Sequence, residues 1–132
     1  MSTSINMLGG GGGGGGGSSI MLTFSISDEP GDGQIVMIPI IAGLIITIPS
    51  GMTNSKGKCV TVPTADADFD VQKNGVSAGT ISFALGVSTA TFVAASDIVL
   101  EGDSSDYLKI ICPTPQDSTL ANVGLSIMGT KS

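Results

Sequence analysis

The chain has 132 residues, of which 41% are hydrophobic, 12% charged and 4% aromatic, and its formal net charge is −6 at pH 7. The length fits one domain, and the negative charge argues against nucleic-acid binding, which needs basic patches that displace counterions from phosphates. His, Arg and Trp are absent, which excludes Ser-His and Cys-His nucleophile pairs, imidazole metal ligands and bidentate guanidinium clamps. We therefore expect no catalytic residues and no cofactor, and predict that the protein is not an enzyme.

The N-terminal segment is dominated by an uninterrupted run of nine glycines, Gly9–Gly17. Glycine has no side chain to pack and loses the most conformational entropy on ordering, so a flexible tether fits this composition. An extended arm also fits it, because nine residues in polyproline-II geometry reach roughly 28 Å. We assign residues 1–19 to an extended glycine-rich N-terminal arm and residues 20–132 to a β domain. The residues expected to make assembly contacts in the arm are Ile5, Met7, Leu8, Gly9, Gly13 and Gly17.

The segment before the glycines, Met1–Leu8, has no basic residue and lacks the apolar core of a secretory signal. We therefore expect no signal peptide. The most apolar stretch of the chain, Ile35–Ile48, is too short to span a bilayer and is interrupted by Pro39 and Gly43. We expect no membrane insertion.

The body consists of short β-like segments separated by turn residues. Leu22–Ser27 alternates apolar and polar residues, as a strand with one buried face does. Gln34–Ile40 and Gly43–Ile48 show little alternation, which predicts strands covered on both faces. The predicted strands are Leu22–Ser27, Gln34–Ile40, Gly43–Ile48, Lys58–Val62, Asp68–Lys73, Val76–Phe83, Ala90–Ala94, Tyr107–Cys112 and Val123–Met128.

The best local signal is the dipeptide Asn74-Gly75, which lies between two alternating runs. Asn-Gly is the preferred type I′ turn because both central residues need a positive φ, so we predict a tight hairpin here. The alternation changes phase in the second arm, which predicts a bulge near Ala78 and Gly79.

No segment of ten or more residues shows an apolar stripe with helical spacing. Eight or so short strands, with turns every 8–12 residues, are typical of a sandwich of two sheets. We predict an all-β fold with a single β-sandwich of jelly-roll or Ig-like type. The connectivity does not follow from the pattern.

Two further groups of residues are candidate sites. Asp97, Asp103 and Asp106 lie in one acidic segment, and carboxylates of this kind can hold Ca²⁺. Their spacing is not diagnostic, so an acidic surface loop is favoured and no metal is expected. Cys59 and Cys112 are 53 positions apart, in no metal-binding pattern. Two buried thiols are favoured over a disulfide.

From Gln34 to Gly129 the chain resembles a β module of tailed bacteriophages. The module occurs at the ends of tail-fibre and related virion proteins and as short stand-alone virion accessory proteins. The segments that carry the resemblance are Phe69–Val76, Gly79–Phe83, Thr89–Phe92, Cys112–Ala121 and the closing Gly129.

The resemblance implies a non-enzymatic structural accessory protein on the virion surface, assembled in the host cytoplasm. A capsid decoration (cement) protein is slightly favoured over a small tail-fibre-type subunit, because the chain has one module and no repeat-built shaft. By analogy with phage fibres and decoration proteins we expect a homotrimer. The expected partners are other copies of the chain and the major capsid protein or a tail or fibre protein, with Met1–Ser19 as the anchor.

The alternative is a receptor-binding adhesin for host attachment, which would recognise host surface glycans through its loop tips. Binding residues commonly lie on loops held by a rigid scaffold, and the candidate tips are Asp97–Asp106 and Asn54–Gly57. The scarcity of aromatic residues counts against this role, because sugar faces favour stacking on aromatic rings.

Overall fold

The computed structural model describes residues 3–9, 18–115 and 118–132, the first of these ranges by its backbone. Eleven strands and two short 3₁₀ turns, Ser50–Met52 and Gly102–Ser104, lie in these ranges. The strands are β1 (Thr3–Gly9), β2 (Ser18–Ile26), β3 (Ile35–Pro39), β4 (Ile45–Ile48), β5 (Lys56–Thr61), β6 (Ala67–Lys73), β7 (Val76–Phe83), β8 (Thr91–Val93), β9 (Ile98–Glu101), β10 (Tyr107–Ile111) and β11 (Ala121–Lys131).

The strands form two antiparallel sheets. The six-stranded sheet has the order β1-β2-β11-β4-β9, and β5 pairs with the first half of β11 beside β4. The five-stranded sheet has the order β3-β10-β6-β7-β8. The prediction of an all-β sandwich is confirmed.

The core lies between the two sheets and contains one side-chain face of each. Leu22 and Phe24 on β2 belong to the buried set from the six-stranded sheet, and Phe69 and Phe83 to that from the five-stranded sheet. The Phe69 and Phe83 rings meet edge to face, with centroids 6.0 Å apart. Because side chains alternate, every second residue of these strands lies in the core. The strands are therefore held by side-chain packing as well as by the hydrogen bonds of the ladders.

β6 and β7 form a hairpin through Asn74 and Gly75, whose φ angles are 52° and 84°. These positive values belong to a type I′ turn, which glycine and asparagine tolerate better than other residues. Val71 pairs with Gly79 and Gln72 pairs with Ser77, so Ala78 is the extra residue of a bulge. The bulge explains the change of phase in the apolar pattern of β7.

The prediction that Gln34–Ile40 and Gly43–Ile48 are covered on both faces is wrong for β3, and for β4, where Ile45 is exposed. Val36 and Ile38 are buried, but Ile35 is 55% exposed and Met37 is 50% exposed. β3 is the edge strand of the five-stranded sheet, and only its inner face lies on the core. The sequence hides this alternation because apolar residues occupy both faces.

The acidic segment that contains Asp97, Asp103 and Asp106 is not a single loop. Its middle part, Ile98–Glu101, is strand β9, which pairs with β4 in the six-stranded sheet. Ile98 and Leu100 are buried and supply the apolar alternation of a strand with one covered face. The acidic residues on either side of this short run make it resemble a loop in the sequence.

The backbone of Thr3–Gly9 forms β1 and pairs with β2 in the chain's own sheet. Ile5 stands in register with Phe24 and Met7 with Leu22. β2 begins at Ser18, directly after the glycine run. Gly13 and Gly17 lie outside the described residues, and the assembly role of Ile5, Met7, Leu8 and Gly9 stays a prediction.

Candidate functional site

The outer face of β3 carries the first candidate site. Ile35 and Met37 point away from the core, and their cross-strand neighbours on β10 are Ile111 and Lys109. The row that starts at Ile35 continues across the whole sheet, and its members in order are Ile35, Ile111, Asp70, Thr80 and Val93. Exposed apolar side chains therefore stand at both ends of this row, on the two edge strands.

Among the residues that the structure describes, the backbone of β3 is paired on one side, by β10. The N–H of Ile40 donates to the carbonyl oxygen of Asp106 (3.1 Å), and the N–H of Cys112 donates to that of Gln34 (2.8 Å). In an antiparallel ladder, alternate residues point to opposite sides, so the even-numbered residues of β3 bond to β10. The N–H and C=O groups of Ile35 and Met37 are therefore directed to the open side of the strand. We call this side, with the Ile35 and Met37 side chains, the β3 edge.

The opposite edge of the same sheet, at β8, is covered at both ends. The N–H of Ala90, just before β8, donates to the carbonyl oxygen of Gly57 (2.9 Å). Just after β8, the carbonyl oxygen of Ala94 accepts a hydrogen bond from the N–H of Gly51 (2.7 Å). A bridge between Lys58 and Thr89 adds to this cover. We call this side, with Val93 on its outer face, the β8 edge.

A second set of exposed apolar side chains lies around β5 and the β7–β8 connection. Val60 is 79% exposed, and Leu85 and Val87 are exposed as well. The two segments are joined by backbone hydrogen bonds from Cys59 N–H to Ser88 (2.9 Å) and from Gly86 N–H to Pro63 (3.0 Å). This set lies in loops and on a paired strand, so it lacks the open backbone of the β3 edge.

A polar network at Asp106 holds the end of β3. Asp106 is buried, with 7% of the residue exposed, and its carboxylate accepts hydrogen bonds from Asn74 Nδ2 (2.9 Å) and from the N–H of Glu101 (2.8 Å). Lys73 Nζ lies 3.7 Å from the same carboxylate. The hydrogen bond from Asn74, the bond from Glu101 and the charge of Lys73 lower the pKa of the Asp106 carboxyl.

The network connects three parts of the fold. Asn74 Oδ1 accepts from the N–H of Tyr107 (3.0 Å), which fixes the β6–β7 turn against the start of β10. The Asp106 carbonyl receives the N–H of Ile40, one residue beyond β3. Asp106 thus positions the hairpin turn, the β9–β10 connection and the end of β3 together. No signal in the sequence separates it from the neighbouring acidic residues.

The candidate Ca²⁺ ligands have separate roles. Asp97 Oδ1 accepts from the N–H of Ser50 (2.8 Å), and Asp103 Oδ1 accepts from the N–H of Gly43 (2.8 Å). Asp106 belongs to the network with Asn74. Within residues 18–115 and 118–132, no group of three or more His, Cys, Asp or Glu side chains is placed to hold a metal ion.

The predicted glycan-binding tips are partly strand. Ile98–Glu101 is β9, and Lys56 and Gly57 open β5. Asn54 has a positive φ of 67°, and Ser55 Oγ accepts a hydrogen bond from the N–H of Met128 (3.0 Å). Ser55 thus connects the start of β5 to β11, and Asn54 and Lys56 on either side of it are exposed.

A cleft of about 260 Å³ opens between the segment Ala65–Asp68 and the segment Pro113–Pro115. The Asp66 carboxylate lines the cleft, but its Oδ1 atom accepts a hydrogen bond from the N–H of Leu85 (2.9 Å). Gln116 and Asp117, which follow Pro115, lie outside the described residues. The described residues of the cleft add no assembled set of reactive groups to the site.

Both cysteines are free and buried. Burial raises the pKa of the Cys112 thiol to about 11 and also raises the pKa of the Cys59 thiol. A thiol of this kind is protonated at neutral pH and is a poor nucleophile.

Among the described residues, no helix is long and apolar enough to cross a bilayer. Comparison of the sequence with models of protein families gives no match, and comparison with curated proteins gives none. One solved structure similar to this chain is a carbohydrate-binding module, CBM36, in complex with calcium and xylotriose. The two are 16% identical, the match covers 100% of each chain, and the TM-score is 0.36. A TM-score this low supports no argument about function.

Proposed function

We propose that this protein is a non-enzymatic structural accessory protein of a tailed-phage virion, displayed on the particle surface. The proposal favours a capsid decoration protein over a small tail-fibre-type subunit. It acts by contact with other virion proteins and with further copies of itself, and the expectation of a homotrimer rests on analogy with phage fibres and decoration proteins.

The observation that carries the proposal is the β3 edge, where Ile35 and Met37 combine exposed apolar side chains with backbone groups that pair with no strand in the described part of the chain. Sheet edges of monomeric proteins are usually protected by charged residues, proline or a covering segment, because an open edge invites pairing with another chain. β3 has no charged residue, and its single proline, Pro39, stands at its end.

Composition supports the same role. Only 12% of the residues are charged, and charged residues are depleted in the buried centre of protein interfaces. Exposed Val60, Leu85 and Val87 add a second apolar surface on another side of the sandwich. A protein that contacts several neighbours on a particle uses such surfaces for docking.

The test is the number of copies of this chain per particle, measured by quantitative mass spectrometry on purified virions of the phage that encodes it. Hundreds of copies are expected for decoration, and a few to a few dozen for a tail appendage. If purified particles contain none, the proposal is wrong.

A matched pair of proteins tests the arm as the anchor. The full chain and a variant without residues 1–17, which keeps β2 intact, are added to particles that lack the protein. The full chain is expected to bind, and the shortened chain is expected to stay folded by circular dichroism but not to bind. If the shortened chain binds equally well, the anchor lies elsewhere in the chain.

The same two proteins distinguish the adhesin role. A glycan array with the full chain is expected to show no specific binding. Binding of a defined glycan by both proteins would overturn the structural role in favour of receptor recognition.

A further inference from the structure

The β3 edge has the two features that let a strand pair with a strand of another molecule. Its free N–H and C=O groups, at Ile35 and Met37, alternate along the open side with the spacing of an antiparallel ladder. The side chains of the same two residues are half exposed on the outer face, where they can be covered by a neighbour on the added strand.

We infer that the β3 edge binds the β3 edge of a second copy of this chain, in an antiparallel pairing about a twofold axis. The pairing joins the two five-stranded sheets into one continuous sheet. It goes beyond the proposed virion role in naming the partner and the contact, and as a twofold contact between free chains it is separate from the homotrimer expected on the particle.

The register follows from the residues available. Centred on Val36, the pairing sets Ile35 opposite the partner's Met37 and Met37 opposite the partner's Ile35. Each of these residues has both a free N–H and a free C=O, so the two pairs exchange four N–H···O bonds. Pro39 has no N–H and lies beyond them, where the added ladder ends.

The side chains fit the same register. On the outer face, each Ile35 meets the partner's Met37, so four half-exposed apolar side chains cover one another. Val36 faces Val36 of the second copy across the twofold axis, on the inner face of the sheet, where it already belongs to the core. Apolar cross-strand pairs of this kind stabilise antiparallel ladders.

The charges at the β3 edge permit a second copy in the antiparallel sense. The chain as a whole is acidic, with a net charge of −6, so copies repel each other in general. β3 has no ionisable residue, and its neighbour on the outer face is Lys109, in register with Met37. The acidic turn Asp28–Asp32 precedes β3, and antiparallel pairing sets the two turns at opposite ends of the contact.

The size of the contact predicts its strength. Two paired five-residue strands bury less than the roughly 1,200–2,000 Å² of a standard stable interface, so dimerisation in dilute solution is weak. Copies held on one particle experience effective concentrations on the order of mM, at which a weak contact is occupied. Only this occupancy on the particle depends on the proposed virion role.

The experiment uses the full chain and two variants, Ile35→Lys and Val93→Lys, in sedimentation velocity over a wide range of protein concentration. Ile35 and Val93 occupy the two ends of one row of the sheet, are 55% and 58% exposed, and give the same change of net charge. The wild type and Val93→Lys are expected to shift from 13.1 kDa toward twice that mass as concentration rises. Ile35→Lys is expected to dissociate about tenfold more readily or to stay monomeric, because a lysine on an edge strand opposes pairing.

Three outcomes overturn the inference: a wild type that stays monomeric at the highest concentration, equal association of both variants, or a trimer that forms without a dimer and is insensitive to Ile35→Lys. Since no particle is used, a failure here leaves the copy number on virions to be decided by its own measurement.

Amide hydrogen exchange identifies the contact. The N–H groups of Ile35 and Met37 are expected to exchange quickly in dilute protein and to become protected as the dimer forms. Protection that is already complete in dilute monomer means that the chain covers its own β3 edge, and this result rejects the second copy as the occupant.

Discussion

The two edges of the five-stranded sheet carry similar side chains but differ in their backbone. Ile35 at the β3 edge and Val93 at the β8 edge are apolar, about equally exposed, and belong to one row across the sheet. Hydrogen bonds from Gly51 N–H and Ala90 N–H cover the β8 edge, whereas the β3 edge is open along Ile35 and Met37. An exposed apolar side chain is common on protein surfaces, so the open backbone is what distinguishes the two edges.

The largest expected effect comes from substitution of Gly102, which packs against the segment that follows β3. A Cβ atom at this position would overlap the backbone carbonyl of Ile41, so the backbone that follows β3 would have to shift. Gly102→Ala is expected to lower the free energy of unfolding by about 3 kcal/mol, measured by urea denaturation. Gly124→Ala is the control, because its Cβ would meet only the carbonyl oxygen of Lys58, at 4.0 Å. Equal stability of the two variants would contradict the tight packing behind β3.

The corresponding position at the β8 edge is Gly79. A Cβ atom there would lie 2.6 Å from the carbonyl oxygen of Val93 and 2.9 Å from Met52 Cε. Gly79→Ala is expected to cost about 1.5 kcal/mol, because the methionine end can move but the carbonyl must shift. Its dimerisation in sedimentation should match the wild type, since the β3 edge is untouched. Loss of dimerisation in this variant would show that the two edges are not independent.

Acid is expected to weaken the support of the β3 edge through Asp106. The folded pKa of this carboxyl lies below its ordinary value of 3.8, so the charged form stabilises the fold above that value. This stabilisation is lost as the pH falls through 3.8 toward the lower folded pKa. The melting temperature of the wild type should therefore fall more steeply between about pH 5 and about pH 2 than that of Asp106→Asn. Parallel curves for the two proteins would show that the Asp106 charge contributes nothing.

The smallest effect is expected from the edge side chains themselves. Ile35→Lys and Val93→Lys should each change the free energy of unfolding by less than about 0.5 kcal/mol, because both side chains are more than half exposed. Thermal unfolding of dilute protein measures this. A large loss in either variant would mean that the side chain packs in the monomer and that the comparison of association is not matched.

The fold class followed from local patterns that survive in the tertiary structure. The period-2 pattern of Leu22–Ser27 and the Asn74-Gly75 turn record which face is buried and where the chain reverses, and both are properties of neighbouring residues. β9 was missed because its four residues lie between acidic ones, and a run that short resembles a loop. β1 was missed because the pairing of Thr3–Gly9 with β2 depends on the chain crossing the glycine run.

The candidate site could not be predicted in the same way. Whether Ile35 and Met37 face a neighbour or solvent depends on the order of strands in the sheet, and an apolar strand has the same pattern at the centre and at the edge. The role of Asp106 depends on Asn74 and Glu101, which belong to a turn and to a strand distant from each other in the sequence. Long-range strand order decides both, and the sequence pattern is local.

The buried thiols of Cys59 and Cys112 have a practical consequence for mapping these surfaces. Because Cys112 has a pKa of about 11 and the pKa of Cys59 is raised too, neither is a thiolate at neutral pH, the form that reacts with maleimides. A single cysteine introduced at an exposed position such as Val60 would therefore take up a fluorescent or spin label ahead of the native ones. The protein can be labelled site-selectively without first removing its own cysteines.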